Sequence, residues 1–258
     1  MRVLPKRRRS EEQRSGTMPV MGHLEELRHR IILSMVALAF GAVIGWFLFD
    51  PFIELVKEPY CDFLAAHPEQ RPPGGRCELN FIAVTDIFLL KLKVVVFLGL
   101  LAVLPFVLYQ IWAFVVPGLT DRERRWAIPF TAAATILFLL GGFVSYVFLP
   151  QGLEFLLGFG GDAFQPLITG DRYIGFVVLV TLAFGLAFLL PIFLIFLQLV
   201  GVLTARRLAS WRRYSILAIA IFAAVITPSG DPYTMLAMMI PMYLFYEASI
   251  IIGRALKR

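Results

Sequence analysis

The chain has 258 residues, of which 59% are hydrophobic and 16% are charged, and it carries a formal net charge of +6. So apolar a composition leaves no room for a separate soluble domain and is typical of a membrane protein. The positive charge flanks the apolar runs, where it meets anionic lipid, so we expect lipid and not nucleic acid to be its partner.

The expected domain organisation is simple. Residues 1–20 are rich in Arg and Lys, and we interpret them as a disordered cytoplasmic tail attracted to anionic lipid. A single membrane domain covers 21–253 and has an outer loop at about 50–85, and 254–258 form a short cytoplasmic tail. We expect the first apolar run to remain as a span and not to be cleaved as a signal peptide, because no small-residue cleavage site follows it.

Six apolar runs without Asp, Glu, Lys or Arg follow in chain order. A helix rises 1.5 Å per residue, so about 20 apolar residues cross a hydrocarbon layer of ~30 Å. The first four runs meet this length, whereas the last two have 14 residues each and reach only about 21 Å. We predict six transmembrane helices; four spans plus a re-entrant hairpin at 214–252 are the alternative. The runs are Ile31–Phe49, Val94–Val116, Trp126–Leu149, Tyr173–Leu203, Tyr214–Thr227 and Tyr233–Tyr246.

The basic residues alternate between loops. Of the 24 Lys and Arg residues, 18 lie before the first run, in the second and fourth loops or at the C-terminus, and 6 lie on the other side. The positive-inside rule therefore predicts that both termini are cytoplasmic.

Cysteine and proline shape this predicted bundle. Cys61 and Cys77 fall in the same outer loop, where disulfides persist, so we expect them to be paired. Proline removes a backbone donor and kinks helices, so we predict a kinked bundle with a concave face. The prolines inside or beside the runs are Pro105, Pro129, Pro191 and Pro241.

Polar residues at the ends of the runs are the site candidates. Glu26 and Arg30 have the i,i+4 spacing of a helical ion pair, and from spacing alone this structural role is sufficient. Glu123 falls in the first turn of a predicted helix, where a carboxylate favours the dipole. Within the bilayer the notable polar groups are Gln110, Tyr146 and Glu247; Glu247 is either functional or snorkels to the interface.

Four stretches together resemble the TatC family, the multi-spanning receptor subunit of the twin-arginine protein translocase. They are His23–Arg28, Pro105–Phe114, Arg122–Arg125 and the turn Thr227-Pro228 with Asp231. The resemblance covers residues 20–253 in order. It implies a multi-pass protein of the bacterial cytoplasmic membrane that binds Arg-Arg signal peptides. It also implies that TatA/TatB-like single-span subunits join it in moving folded cargo proteins, driven by the proton-motive force.

The resemblance also implies roles for particular residues. Glu26 and Glu123 match the family's signal-peptide glutamates, and Arg28 matches a third position beside them. One glutamate per arginine fits, because carboxylates bind guanidinium groups with two charge-assisted hydrogen bonds. The residues expected to line a path for partners or cargo are Gln110, Tyr146, Glu247 and Asp231. We expect a homo-oligomer, no cofactor or metal and no enzymatic activity, since neither a phosphate-binding loop nor a zinc motif occurs.

One residue departs from the family pattern. Leu189 stands before the Leu-Pro pair where many members carry glutamate, and Gln198 does not replace it, because nine residues of helix place it on the opposite face. The competing function is a small secondary transporter with a site at broken helices. Such a transporter has corresponding halves with paired interruptions, which this sequence does not show.

Overall fold

A computed structural model describes residues 20–67, 77, 79–115, 127–158, 168–227 and 232–256. In these ranges the chain forms eight helices, and the predicted all-α class is confirmed. The predicted basic tail and most of the loop around the prolines at 68–73 lie outside the described residues. The helices are α1 (Val20–Ala66), α2 (Val84–Val115), α3 (Ala127–Gly158), α4 (Gly170–Phe188), α5 (Leu190–Leu199), α6 (Ala205–Ser210), α7 (Arg212–Ile226) and α8 (Pro232–Leu256).

Five stretches of the described chain are long and apolar enough to cross a membrane: α1, α2, α3, α4 with α5, and α8. The two short apolar runs at the end of the sequence therefore differ. Helix α8 has 25 residues and extends well beyond its uncharged run, to about 37 Å. Helix α7 has 15 residues and reaches only about 22 Å. Of these two helices, α7 is therefore the one that is shorter than the ~30 Å of hydrocarbon.

Helix α1 is the longest element. Its 47 residues span about 70 Å, so the segment assigned from the sequence to an outer loop begins as 16 further residues of helix after Asp50. Its second half joins an apolar cluster with the start of α2, the end of α3 and the start of α4. The side chains that α1 contributes are Val56, Tyr60, Phe63 and Leu64, and those of the other helices include Leu90, Val94, Leu149, Leu153, Tyr173 and Ile174.

Helix α1 stays continuous through Pro59 because other helices supply hydrogen bonds. Pro59 has no N–H, so the carbonyl of Leu55 loses its usual helical partner. The Tyr146 hydroxyl of α3 donates to that carbonyl at 3.3 Å, and the Tyr173 hydroxyl of α4 donates to the Val56 carbonyl at 2.7 Å. A side-chain donor from a neighbouring helix thus satisfies the carbonyl that Pro59 leaves without its helical partner.

Helices α1 and α2 pack closely along a line of glycines. A Cβ built on Gly45 would collide with the Val95 carbonyl oxygen, and one on Gly99 would lie 2.6 Å from the Ala42 nitrogen. Only glycine permits this approach, which is the usual means by which membrane helices associate without a hydrophobic driving force. The backbones of α1 and α2 therefore form one tightly paired unit.

Proline marks the break between α4 and α5. Helix α4 ends at Phe188, the Leu189 N–H bonds back to the Leu186 carbonyl at 3.1 Å, and α5 resumes with Pro191 in its first turn. Pro191 has no N–H and cannot donate to the Ala187 carbonyl, so the regular helical bonding is interrupted here and α4 ends with the tighter i→i−3 bond. The inner core lies around this break and consists mainly of Phe184, Phe188, Met238, Met242 and Ile250.

The end of the membrane domain far from Glu26 carries a covalent bridge. Cys61, near the end of α1, is joined to Cys77, and their Cα atoms are 5.5 Å apart. Their separation of 16 residues closes a loop whose entropy contributes roughly 3 kcal/mol in the chain-entropy account. A parallel bridge between Asn80 and Thr169, with the Gly170 N–H donating to the Asn80 carbonyl at 2.8 Å, ties the next outer segment to α4.

Candidate functional site

The first turns of α1 hold an ion pair. The Oε1 atom of Glu26 accepts hydrogen bonds from Nε and Nη2 of Arg30 at 3.3 and 2.8 Å. The side chains are 19% exposed for Glu26 and 25% for Arg30, so the pair is largely shielded from water. The i,i+4 spacing along the helix produces this contact directly.

Arg30 also links α1 to α2. Its Nη1 atom donates to Oε1 of Gln110 at 2.9 Å, and Gln110 is buried with 5% exposure. One guanidinium thus binds a carboxylate on its own helix and an amide on the neighbouring helix. The sequence indicated the Glu26–Arg30 pair but gave no signal for the third member, because the contact spans 80 residues.

The two carboxylate oxygens of Glu26 differ in their contacts. Its Oε2 atom is buried and has no hydrogen-bond partner in the described part of the chain. Buried carboxylate oxygens are seldom left without a hydrogen-bond partner, so Oε2 is a candidate acceptor for a ligand. Glu26 therefore offers an acceptor that Arg30 does not satisfy.

An apolar groove of about 360 Å³ begins at this cluster and runs between α1 and α2. Arg30 and Gln110 stand at its polar end. The remaining lining is apolar except for Ser34: Leu27, Ile31, Met35, Leu38, Leu100, Val107, Ile111 and Phe114.

The other residues of the predicted recognition region lie around the cluster. Arg28 and Glu25 are exposed on the outside of α1. His23 stacks on Phe114 of α2 with ring centroids 4.3 Å apart, so the start of α1 is held against the end of α2. Glu123 lies outside the described residues.

Glu247 has a partner in the short helix α7. Its two carboxylate oxygens accept from Nε and Nη2 of Arg212, both at 2.7 Å, and the Tyr243 hydroxyl donates to Oε1 at 3.2 Å. This is the bidentate arrangement in which guanidinium and carboxylate bind best. The sequence did not indicate Arg212 as the partner, because the two residues are 35 positions apart. The i,i+4 spacing of Tyr243 and Glu247 is a local signal for the longer bond.

Two further predicted residues have local structural partners. Tyr146 bonds to the Leu55 carbonyl and to Oε2 of Glu58, each at 3.3 Å, which places it beside the outer half of α1. Asp231, the last predicted residue, lies outside the described residues. The structure therefore brings together Glu26 and Gln110, and holds Tyr146 and Glu247 in separate contacts.

Leu189 and Gln198 face different neighbours. Leu189 packs against an apolar cluster of α2, α3 and α5 that includes Leu104 and Phe130. Gln198 is buried with 3% exposure, and its Nε2 donates to the Ser249 carbonyl of α8 at 3.0 Å. Gln198 thus ties α5 to α8 and does not stand in for a carboxylate at position 189.

Comparison with known proteins places the chain in a family. The family model "Sec-independent protein translocase protein (TatC)" matches residues 22–241. The TatC protein of Frankia casuarinae is 40% identical over 250 residues, which are 95% of this chain and 68% of that protein. The TatC protein of Aquifex aeolicus is 37% identical, over 93% of this chain and 97% of that protein.

Two solved structures are also similar to this chain. A crystal structure of the twin-arginine translocase receptor TatC superposes with a TM-score of 0.72 and 36% identity, over 92% of this chain and all of that chain. A second crystal structure of TatC, in DDM, gives a TM-score of 0.73 with 37% identity, over 90% of this chain and 99% of that one. The transporter alternative is not supported by any of these matches. The chain belongs to the TatC family of Sec-independent protein translocase proteins.

Proposed function

We propose that this protein is the receptor subunit of a twin-arginine translocation system. It binds Arg-Arg signal peptides at its cytoplasmic face. With TatA/TatB-like single-span subunits it moves folded proteins across the membrane, driven by the proton-motive force. Both termini are cytoplasmic in this proposal, as the distribution of Lys and Arg favours. The observation that carries the proposal is the unpartnered buried oxygen of Glu26.

The chemistry of Glu26 suits a guanidinium ligand. Its Oε2 accepts hydrogen bonds without displacing Arg30 from Oε1, and a charge-assisted bond to a shielded carboxylate is stronger than one in water. Arg30 binds only Oε1, so Oε2 remains for one guanidinium of the peptide, and a second carboxylate is needed for a peptide with two arginines. Glu123 supplies it in this proposal.

The docking edge for the single-span subunits is α7. This helix is short, and one side of it is exposed and apolar at the spacing of a single helical face. A short span thins the bilayer around it, which favours association with a neighbouring helix. Leu189 does not belong to this face. It packs among apolar side chains at the position where many family members carry glutamate. The exposed face consists of Tyr214, Leu217, Ile221 and Val225.

Substitution of Glu26 tests the proposal. In the purified full chain, Glu26→Ala should weaken binding of an Arg-Arg signal peptide by about 10- to 100-fold, since a hydrogen bond to a charged group contributes about 1.5–3 kcal/mol. Glu26→Lys should be worse, because it adds repulsion. Glu123→Ala should weaken binding similarly. Fluorescence anisotropy of a labelled peptide measures the Kd.

Glu25→Ala is the matched control, since Glu25 is exposed one position earlier on the same helix. It should bind the peptide like the wild-type protein. A peptide in which Lys-Lys replaces Arg-Arg should bind weakly to every variant, because an ammonium group does not form the bidentate pair. Equal binding of the Arg-Arg peptide by wild-type protein and by both Ala variants, at 26 and at 123, would overturn the proposal.

A further inference from the structure

We propose that a cavity between the start of α6 and the end of α8 binds the phosphate group of an anionic phospholipid. The cavity has a volume of about 560 Å³, within the range of about 300–1,000 Å³ that is common for small-molecule sites. Each of the two elements contributes one arginine to it. The site does not use Glu26 or Glu123, so the inference is independent of peptide recognition. The lining residues are Thr204, Ala205, Arg206, Gly253 and Arg254.

The two arginines come from elements that are fixed to each other. The Tyr246 hydroxyl of α8 donates to the Leu208 carbonyl of α6 at 2.6 Å, and both residues are buried. Gly253 packs closely on Gln198 of α5, because a Cβ built on Gly253 would collide with the Oε1 atom of Gln198. The end of α8 is therefore held by both α5 and α6. A ligand that enters a cavity with fixed backbone walls loses little binding free energy to their ordering.

The positive charge of the cavity is not neutralised by a neighbouring carboxylate. Glu247 lies two helical turns before Arg254, and both of its oxygens accept from Arg212. Neither Arg206 nor Arg254 forms an ion pair within the part of the chain that the structure describes. Two guanidinium groups that line one cavity repel each other, so an anion between them is favoured. Arginine is suited to a phosphate, because its guanidinium binds two phosphate oxygens with parallel hydrogen bonds.

The surroundings of the cavity favour a lipid over a free phosphate ion. Val202, in the turn before α6, and Ile251, at the end of α8, are 59% and 65% exposed. At a membrane surface such side chains contact acyl chains. Trp211 is also exposed and follows α6 directly, and tryptophan is enriched at the level of the headgroups. A free phosphate ion would contact the arginines only, whereas a phospholipid would contact the arginines and the apolar side chains beside them.

The charge of the cavity also selects among phospholipids. Phosphatidylglycerol carries one negative charge, whereas phosphatidylethanolamine adds an ammonium group that the arginines repel. The distribution of Lys and Arg favours a cytoplasmic location for this end of α8. The cytoplasmic leaflet is rich in anionic lipid, and basic pockets between helices on that side bind lipid headgroups. We therefore expect phosphatidylglycerol to bind more tightly than phosphatidylethanolamine.

Native mass spectrometry of the detergent-solubilised full chain tests the site. The protein is titrated with phosphatidylglycerol, and the apparent Kd is taken from the fraction that carries one lipid. Arg206→Gln with Arg254→Gln should raise this Kd about tenfold or more, because hydrogen bonds to a charged phosphate are lost. Arg206→Lys with Arg254→Lys should raise it less, because the charges remain and only the bidentate geometry is lost. Phosphatidylethanolamine should bind the wild-type protein several-fold more weakly.

Arg207→Gln with Arg213→Gln is the matched control. Both arginines are exposed and lie in the same region, but they do not line the cavity. This pair removes the same charge and should bind phosphatidylglycerol like the wild-type protein. The Tm of each lipid-free variant shows whether it is folded. The Lys pair keeps both charges, so it tests the site even if the Gln pair lowers the Tm.

Several results would overturn the inference. No loss in the cavity pair, or an equal loss in the cavity and control pairs, would mean that the lipid is attracted only by the overall surface charge. Equal binding of phosphatidylglycerol and phosphatidylethanolamine would mean that the cavity does not select an anionic lipid. Displacement of the lipid by inorganic phosphate at an equal concentration would assign the arginines to a free phosphate ion. None of these results concerns binding of the Arg-Arg peptide, so the receptor proposal is tested separately.

Discussion

At the scale of single residues, the partners of charged side chains decide how the chain tolerates charge at the membrane surface. Glu247 lies in a helix that is otherwise apolar for its first 15 residues, and it is paired with Arg212 of the neighbouring helix. Neither side chain is fully buried, with 24% exposure for Glu247 and 48% for Arg212, so water screens part of the attraction. The bidentate geometry strengthens the attraction between the two side chains.

Removal of this pair should loosen α7. We expect Glu247→Gln to lower the Tm of the detergent-solubilised protein by about 2–4 °C, the shift typical of a small loss in a domain of this size. Tyr243→Phe removes only the weaker bond at 3.2 Å and should have a smaller effect. The exchanged pair Arg212→Glu with Glu247→Arg should recover part of the loss. A Tm for Glu247→Gln equal to that of the wild type would show that the ion pair does not hold α7.

The candidate site residues show which contacts can be predicted from the sequence and which cannot. The Glu26–Arg30 pair follows from local spacing and could be predicted, whereas the contact of Arg30 with Gln110 requires the packing of two helices. Tyr146 was predicted as an intramembrane polar group, and its bond to the Leu55 carbonyl depends on Pro59, which lies 87 positions earlier in the chain. Side-chain chemistry and contacts along one helix could be predicted from the sequence, whereas contacts between polar side chains of different helices could not.

At the scale of helices, the pairing of α1 with α2 depends on glycine. Gly45→Ala should destabilise the protein by about 1–3 kcal/mol, because the added methyl group meets the Val95 carbonyl oxygen and overpacking has this cost. Gly175→Ala in α4 is the matched control, since no atom lies within 4 Å of a Cβ built there. It should be neutral or stabilise by up to about 1 kcal/mol, because alanine is the better helix former. Thermal unfolding in detergent measures both; equal Tm values would contradict the close-packing account.

Helix boundaries were harder to predict than helix existence. The first apolar run ends at Asp50-Pro51, yet α1 continues to Ala66, because the outer half buries apolar side chains and other helices supply hydrogen-bond donors. The last run ends before Glu247, yet α8 continues to Leu256, because Arg212 neutralises that carboxylate. In both cases a charge or a proline suggested the end of the helix, and contacts with other helices stabilise its continuation.

At the scale of the whole molecule, α7 and α8 decide the topology. If both cross the membrane, residue Ser229, which lies between the end of α7 and the start of α8, faces the outside. In a background with Cys61 and Cys77 replaced, a cysteine at position 229 should react with a membrane-impermeant thiol reagent added outside intact cells. A cysteine at Arg213, at the start of α7, should react only after the membrane is opened. Labelling of position 229 from the cytoplasmic side alone would mean a re-entrant hairpin.

The length of α1 has a mechanical consequence. Glu26 and Cys61 lie on the same helix, 35 residues apart, so the proposed recognition carboxylate and the outer disulfide stand about 52 Å from each other along one axis. A tilt of the helix by about 5° around its midpoint moves each end by about 2 Å in opposite directions. The close contact of Gly45 with the Val95 carbonyl lies near the middle of this distance, so the two ends stand on opposite sides of it. A rigid-body tilt of α1 about that contact would displace the end that carries Glu26 and the end that carries the disulfide together.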